Sequence, residues 1–107
     1  DNMKQDFEAS AALTRKTRAV VVNTPGNPSG KVWTRAELED LAAVLDGSDV
    51  LVLTDEVYEY MCFDGRKHVS PASVPGLAER TLTMNSFSKT FSVTGWRIGF
   101  LAGPVEI

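Results

Sequence analysis

Thr34-Arg35-Ala36-Glu37-Leu38-Glu39-Asp40-Leu41-Ala42-Ala43-Val44-Leu45-Asp46-Gly47-Ser48-Asp49-Val50-Leu51-Val52-Leu53-Thr54 carries two periodicities back to back. Its first half opens on a capping box, with a threonine at the N-cap and Glu37 three residues on. Leu38, Leu41, Ala42 and Leu45 then recur at helical spacing, one apolar face of a helix. Asp46-Gly47 is where that helix should stop, glycine being the usual left-handed terminator. Val50 to Thr54 follows as a short, continuously apolar run that suits a strand buried on both faces, and it leads into Asp55-Glu56.

Upstream, Arg18-Ala19-Val20-Val21-Val22-Asn23 reads as a second strand of the same kind. Thr24-Pro25-Gly26-Asn27-Pro28-Ser29-Gly30 separates it from the helix, and its prolines and glycines forbid helix there. Strand, helix and strand at this spacing form a βαβ unit, so the two strands should be parallel. Farther upstream, Asp6 to Leu13 reads as a short helix with Asp6 at its N-cap. Downstream, the mixed residues Val57 to Gly65 receive no assignment, and Pro71 to Arg80 suits short helical turns broken at Pro75-Gly76. Thr81 to Asn85 is a third strand and Trp96 to Ala102 a fourth. The roughly ten residues between these two are short for a parallel crossover, so the fourth strand is expected to run antiparallel. The fold class is therefore α/β: a partial three-layer sandwich with a mostly parallel sheet whose last strand is antiparallel.

The chain has 107 residues, 43% of them hydrophobic, which suits one domain or part of a larger one. A formal net charge of -3 gives no electrostatic support to a nucleic-acid or anionic-membrane partner. No apolar run is long enough to span a bilayer, and no signal-peptide pattern opens the chain. Cys62 is the only cysteine, so no intrachain disulfide forms, and a reducing, cytoplasmic setting is expected. The chain opens Asp1-Asn2-Met3 and stops at Pro104-Val105-Glu106-Ile107, which resembles the first turn of a helix; a segment of a longer protein is expected.

Each strand is followed at once by polar residues. Asn27 follows the first, Asp55 and Tyr58 the second, and Ser86, Ser88 and Lys89 the third, with Arg97 a few residues on. In an open parallel sheet such residues converge on one crevice outside the carboxyl ends of the strands. Each also has an ordinary reading: Asp55 as a helix cap, Asn27 as a turn former, Tyr58 as a core aromatic, Lys89 as a surface cation, Arg97 as a surface ion-pair partner. Taken together they suit pyridoxal 5'-phosphate. That cofactor needs an amine for a Schiff base, a carboxylate facing its pyridine nitrogen, donors at its phenolic oxygen and a cationic phosphate site. Lys89, Asp55, Asn27 with Tyr58, and Arg97 with Ser86 supply one of each. No metal-ligating set is picked out.

Three stretches then resemble one known family, the class I/II aminotransferases of the fold-type I pyridoxal-phosphate enzymes. Asn23 to Gly30 is similar to the family's "NPxNPTG" loop, Asp55-Glu56-Val57-Tyr58 to its "D-E-x-Y" element, and Ser86 to Gly99 to its lysine signature, with a serine three before Lys89 and an arginine eight after it. The resemblance spans residues 6–105 and places the chain in the central part of the large domain, nearest the kynurenine, glutamine and methionine aminotransferase branch. It implies that Lys89 bonds the cofactor and moves the substrate proton, that Asp55 pairs with the pyridinium, and that Tyr58 and Asn27 donate to the phenolic oxygen. Ser86 and Arg97 would bind the phosphate, and the Asn27–Pro28 bond would be cis. His68 is expected to be structural. The substrates implied are an amino acid and a 2-oxo acid, and the complete protein would be a homodimer, with further site residues outside this chain. Two other functions fit the same residues: a carbon–sulfur β-lyase or cyclopropane-forming synthase on the same scaffold, and an aminotransferase-like sensing domain of a transcription regulator.

Overall fold

The computed structural model describes residues 12–107. Four strands form one sheet in the order β1 (Ala19–Asn23), β2 (Leu51–Asp55), β3 (Thr81–Ser86) and β4 (Gly99–Ala102). One long helix, α1 (Arg35–Leu45), joins β1 to β2, and a four-residue helix, α2 (Phe87–Thr90), follows β3. The expected helix at 6–13 falls largely outside the described residues.

Helix α1 begins as its sequence dictates. Thr34 is extended, its hydroxyl accepts from Glu37 N at 3.2 Å, and the Glu37 carboxylate accepts from Thr34 N at 2.8 Å. Glu37 also pairs with Lys31, and these contacts hold its carboxyl below the ordinary glutamate value despite the opposing effect of burial. The helix ends at Leu45, and Gly47 turns the chain away at φ +67°. Leu38, Leu41 and Leu45 pack in one core with Val22 and Val52 of the sheet and Val50 just before β2, and Val74 and Leu77, which flank two single-turn 3-10 segments (Pro71–Ser73 and Ala78–Arg80), close the same core. This is the sheet and one flanking layer of the expected sandwich.

Strands β1 and β2 pair in parallel with Val21 opposite Leu53 and Asn23 opposite Asp55; β2 and β3 pair in parallel with Asp55 opposite Met84. β3 and β4 pair antiparallel, Ser86 opposite Gly99, as the short connection requires. Two expectations need correction. The fourth strand does not begin at Trp96: Thr94–Trp96 is a 3-10 turn and Arg97 is left-handed (φ 54°, ψ 42°), so pairing starts only at Gly99. Nor are the strands buried on both faces among the described residues. Val22, Val52 and Thr54 are buried under α1, whereas Val21 on the opposite face is 69% exposed and Leu101 60%. Period-two side-chain alternation puts these residues on different faces, and among the described residues only one face is covered.

The topology brings four chain segments to one edge. The carboxyl ends of three parallel strands, Asn23, Asp55 and Ser86, lie side by side, and the antiparallel β4 starts there at Gly99. Residues far apart in the chain therefore share a rim.

Candidate functional site

The loop after β1 is held by short-range hydrogen bonds. Asn23 Nδ2 donates to the Asp55 carbonyl at 3.1 Å, Asn23 Oδ1 accepts from Asn27 N at 2.7 Å, and Thr24 N also reaches the Asp55 carbonyl. The buried Thr24 hydroxyl accepts from Trp33 N at 3.1 Å, and Gly26 N donates to Lys31 O at 2.8 Å. The Asn27–Pro28 bond is cis, as expected, and so is Thr24–Pro25. This loop leaves the Asn27 amide at the rim, with Nδ2 3.5 Å from the Tyr58 hydroxyl.

β2 ends on Asp55, half-buried, its Oδ1 accepting from Val57 N at 3.3 Å. No cation pairs with Asp55 among the described residues. Tyr58 follows on an irregular turn closed by Glu59 N to Glu56 O at 2.9 Å and Met61 N to Tyr58 O at 2.7 Å. Its ring faces Lys89, whose Nζ stands 5.8 Å from the ring centroid. Lys89 and Tyr58 line one hollow of ≈ 470 Å³ together with Val57, Tyr60, Met61, Thr90 and Phe91.

Lys89 is exposed on α2, and Ser86 is the cap of that helix. Ser86 Oγ accepts from Ser88 N at 3.1 Å and bonds Ser88 Oγ at 2.6 Å and Ile98 O at 3.1 Å. The buried Ser88 carbonyl then takes both Val93 N and Thr94 Oγ1, so the turn beyond the lysine is tied back beneath it. Ser92 and Arg97 both sit at left-handed φ without being glycine, a local strain of the kind that collects at binding loops. Arg97 reaches the rim next to Ile98, but its guanidinium donates to Thr94 O at 3.1 Å, and among the described residues no hydrogen bond joins it to the Ser86 side chain. The structure therefore gathers Asn27, Tyr58 and Lys89 most closely. Asp55 is tied to them through Asn23 and the Val57 turn, and Ser86 and Arg97 stand on the adjoining strand edge.

No role is predicted for Glu56 from the sequence, yet its carboxylate carries four side-chain contacts beside the rim. It is 2% exposed and accepts from Thr54 Oγ1 at 2.7 Å, Ser70 Oγ at 2.9 Å and Thr83 Oγ1 at 3.4 Å, and His68 Nε2 lies 2.5 Å from Oε2. With the ring proton on Nε2, His68 donates to Glu56 and keeps Nδ1 as a buried acceptor with no partner among the described residues. Burial works to raise the Glu56 carboxyl, but the donors from His68, Thr54 and Ser70 outweigh it and hold the group below 4.5, the ordinary glutamate value. A carboxyl lowered on folding stabilises the fold above its unfolded value and loses that contribution as pH falls through the folded one. Glu56→Ala is expected to cost on the order of 3 kcal/mol, because it strands several buried donors. Glu56→Gln should flatten the loss of stability below pH 4.5 in denaturant titrations at stepped pH.

A family model described as aminotransferase class I and II matches residues 1–107. This chain belongs to that family. Its relatives include aromatic-amino-acid aminotransferase 2 of Thermococcus litoralis, 54% identical over 97 residues, and human kynurenine–oxoglutarate transaminase 1, 51% identical over 101 residues. These alignments cover 91% and 94% of this chain but 25% and 24% of the relatives, so the chain spans about a quarter of their length. Among solved structures, N-succinyldiaminopimelate aminotransferase of Mycobacterium tuberculosis superposes with a TM-score of 0.88 at 43% identity, over 92% of this chain and 26% of that one. At this identity the likeness extends beyond fold to the aminotransferase family itself. The three motif stretches of this aminotransferase-family chain are the segments that meet at the rim.

Proposed function

We propose that this chain is the central part of the large, cofactor-binding domain of a pyridoxal-phosphate-dependent aminotransferase, acting on an amino acid and a 2-oxo acid. The observation that carries the reading is the convergence of Lys89 Nζ, the Tyr58 ring and the Asn27 amide at the carboxyl edge of the sheet, beside Asp55, in a chain of this family. The donor set fits the group chemically. Among the described residues Lys89 has no carboxylate partner, so its amine is open to a carbonyl carbon. Asp55 uses Oδ1 on Val57 N, and no partner for its second oxygen occurs among the described residues, leaving it for a ring N–H. Tyr58 and Asn27 bring an O–H and an N–H to one point, which suits an anionic oxygen. Arg97 and Ser86 offer a guanidinium and a hydroxyl to a phosphate at the neighbouring edge.

When bound, the cofactor supplies an electron sink for the charge left at the substrate α-carbon. The chain's own residues do the rest. Lys89 Nζ would hold the cofactor, and its free amine would take the proton from the reacting carbon and return it. Asp55 keeps the sink effective by holding a proton on the ring nitrogen through charge pairing. Tyr58 and Asn27 would restrain the ring from the phenolic side, and the Asn27 amide would also serve as a donor to a substrate carboxylate. In this reading the chain is part of a larger enzyme, as its match to about a quarter of its relatives' length supports, and we propose that this enzyme is a homodimer in the cytoplasm.

The assay that separates this reading from its rivals follows the nitrogen. In the complete enzyme an aromatic amino acid or kynurenine, the donors suggested by the relatives' names, should yield its keto acid only when a 2-oxo acid is present, with one acceptor aminated per donor consumed. Release of thiol and ammonia from a sulfur amino acid without an acceptor would assign a lyase instead. Cofactor-dependent binding without turnover would assign a sensing domain.

A further inference from the structure

Asn85 and Glu59 have no role in the site as described, yet they join its two halves. Asn85 is the penultimate residue of β3. Its Nδ2 donates to Glu59 Oε1 at 2.8 Å, and its Oδ1 accepts from Ser86 N at 2.7 Å. Glu59 directly follows Tyr58, and Ser86 caps the helix that carries Lys89. One half-buried amide therefore spans from the neighbour of Tyr58 to the cap of α2. β4 closes over this point: a Cβ on Gly99 would stand 2.7 Å from the Asn85 carbonyl, so only glycine lets the strand pair here.

The two halves need such a tie. Tyr58 arrives on an irregular turn and Lys89 on a helix of four residues, so neither is oriented by a long element. Glu56 fixes the start of the turn through its buried carboxylate, on Thr54, Thr83, Ser70 and His68. The Glu59–Asn85 contact fixes the far side of the turn to the lysine strand. An amide is suited to this task because it offers a donor to a carboxylate on one side and an acceptor to a backbone N–H on the other. We propose that Asn85, with Glu59 as its partner, is a positioning residue that sets the Tyr58 ring, and with it the phenol, against Lys89 Nζ. The inference rests on the proposed function, in which both groups work on one bound cofactor.

The test uses the complete enzyme loaded with pyridoxal phosphate and compares Asn85→Ala, Glu59→Ala, the double variant and Glu59→Gln. Each alanine variant is expected to lower kcat about tenfold with KM nearly unchanged, the size of one lost charge-assisted hydrogen bond. Each should also move the pH midpoint of the bound cofactor's visible absorbance, because a displaced Tyr58 donates less well to the phenolic oxygen. The double variant should lose no more than either single one, since the two side chains act through one contact. Glu59→Gln keeps an Oε1 for Asn85 and should restore most of the loss. Single variants that match wild type in kcat and in midpoint, or a double variant whose loss is the product of the singles, would overturn the inference. So would a fall in thermal stability alone. Glu59→Ala carries the test where Asn85→Ala does not fold. Wild-type protein without cofactor absorbance would overturn the function reading and this inference with it; wild-type absorbance with insensitive variants would overturn the inference alone.

Discussion

Lys89→Ala in the complete enzyme is expected to lower turnover about 10³-fold or more, with loss of the covalently held cofactor's absorbance. In the proposed mechanism two tasks converge on this one nitrogen, attachment of the cofactor and proton transfer at the reacting carbon, and none of the neighbouring groups could take over both. Tyr58 is bonded to Asn27, and the Ser86 and Ser88 hydroxyls are bonded to each other and to the backbone around α2. The substitution itself is mild for the fold. Lys89 is exposed, and the helix that carries it is set by the Ser86 cap and by the Phe91 N to Phe87 O bond at 3.0 Å, neither of which involves the lysine side chain. The loss of activity should therefore come with an unchanged melting temperature. Added small amines, which can carry a proton but not anchor the cofactor, should recover part of the rate. Full activity of Lys89→Ala would remove the lysine from the mechanism.

Asp55→Ala should reduce turnover by about 10²–10³-fold, the usual effect of deleting one preorganised charge at a reacting centre. The cofactor should still bind, because Lys89 and the phosphate contacts remain. Asp55 contributes to the fold mainly through its backbone: its carbonyl accepts from Thr24 N and from Asn23 Nδ2, and both bonds survive the substitution. Only the Oδ1 contact to Val57 N is lost. Asp55→Asn preserves the shape and removes the charge, so it should resemble Asp55→Ala in rate and wild type in stability. Turnover at the wild-type level in either variant would reduce Asp55 to the role of a turn cap.

The elements legible in the sequence were those built by local rules. The capping box at Thr34 and Glu37, the leucines of α1 and the Gly47 stop each depend on residues within a turn of one another, and each stands where its chemistry places it. The antiparallel sense of β4 followed from the length of its connection. Its start did not, because Trp96 and Ile98 are strand-like residues while Arg97 adopts a left-handed conformation imposed by the turn around Ser88. Among the described residues one strand face is left uncovered, a feature the sequence does not reveal because β-branched runs such as Val20 to Val22 look alike whether a second layer covers them or not. Asn27, Asp55, Tyr58 and Lys89 are grouped by the sequence because each lies at or shortly after the end of a strand, and strand ends share an edge. Glu56, Glu59 and Asn85 are not. Thr83 is brought to Glu56, and Asn85 to Glu59, by the pairing of β2 with β3, and His68 reaches Glu56 from the irregular stretch before Pro71.

Borohydride reduction of the complete enzyme followed by peptide mass spectrometry locates the attachment of pyridoxal phosphate, which we propose is Lys89. A pyridoxyl phosphate group is expected on the peptide containing Lys89, on that lysine and no other. A reduced cofactor found on Lys67, on Lys31 or on no lysine at all would contradict this assignment.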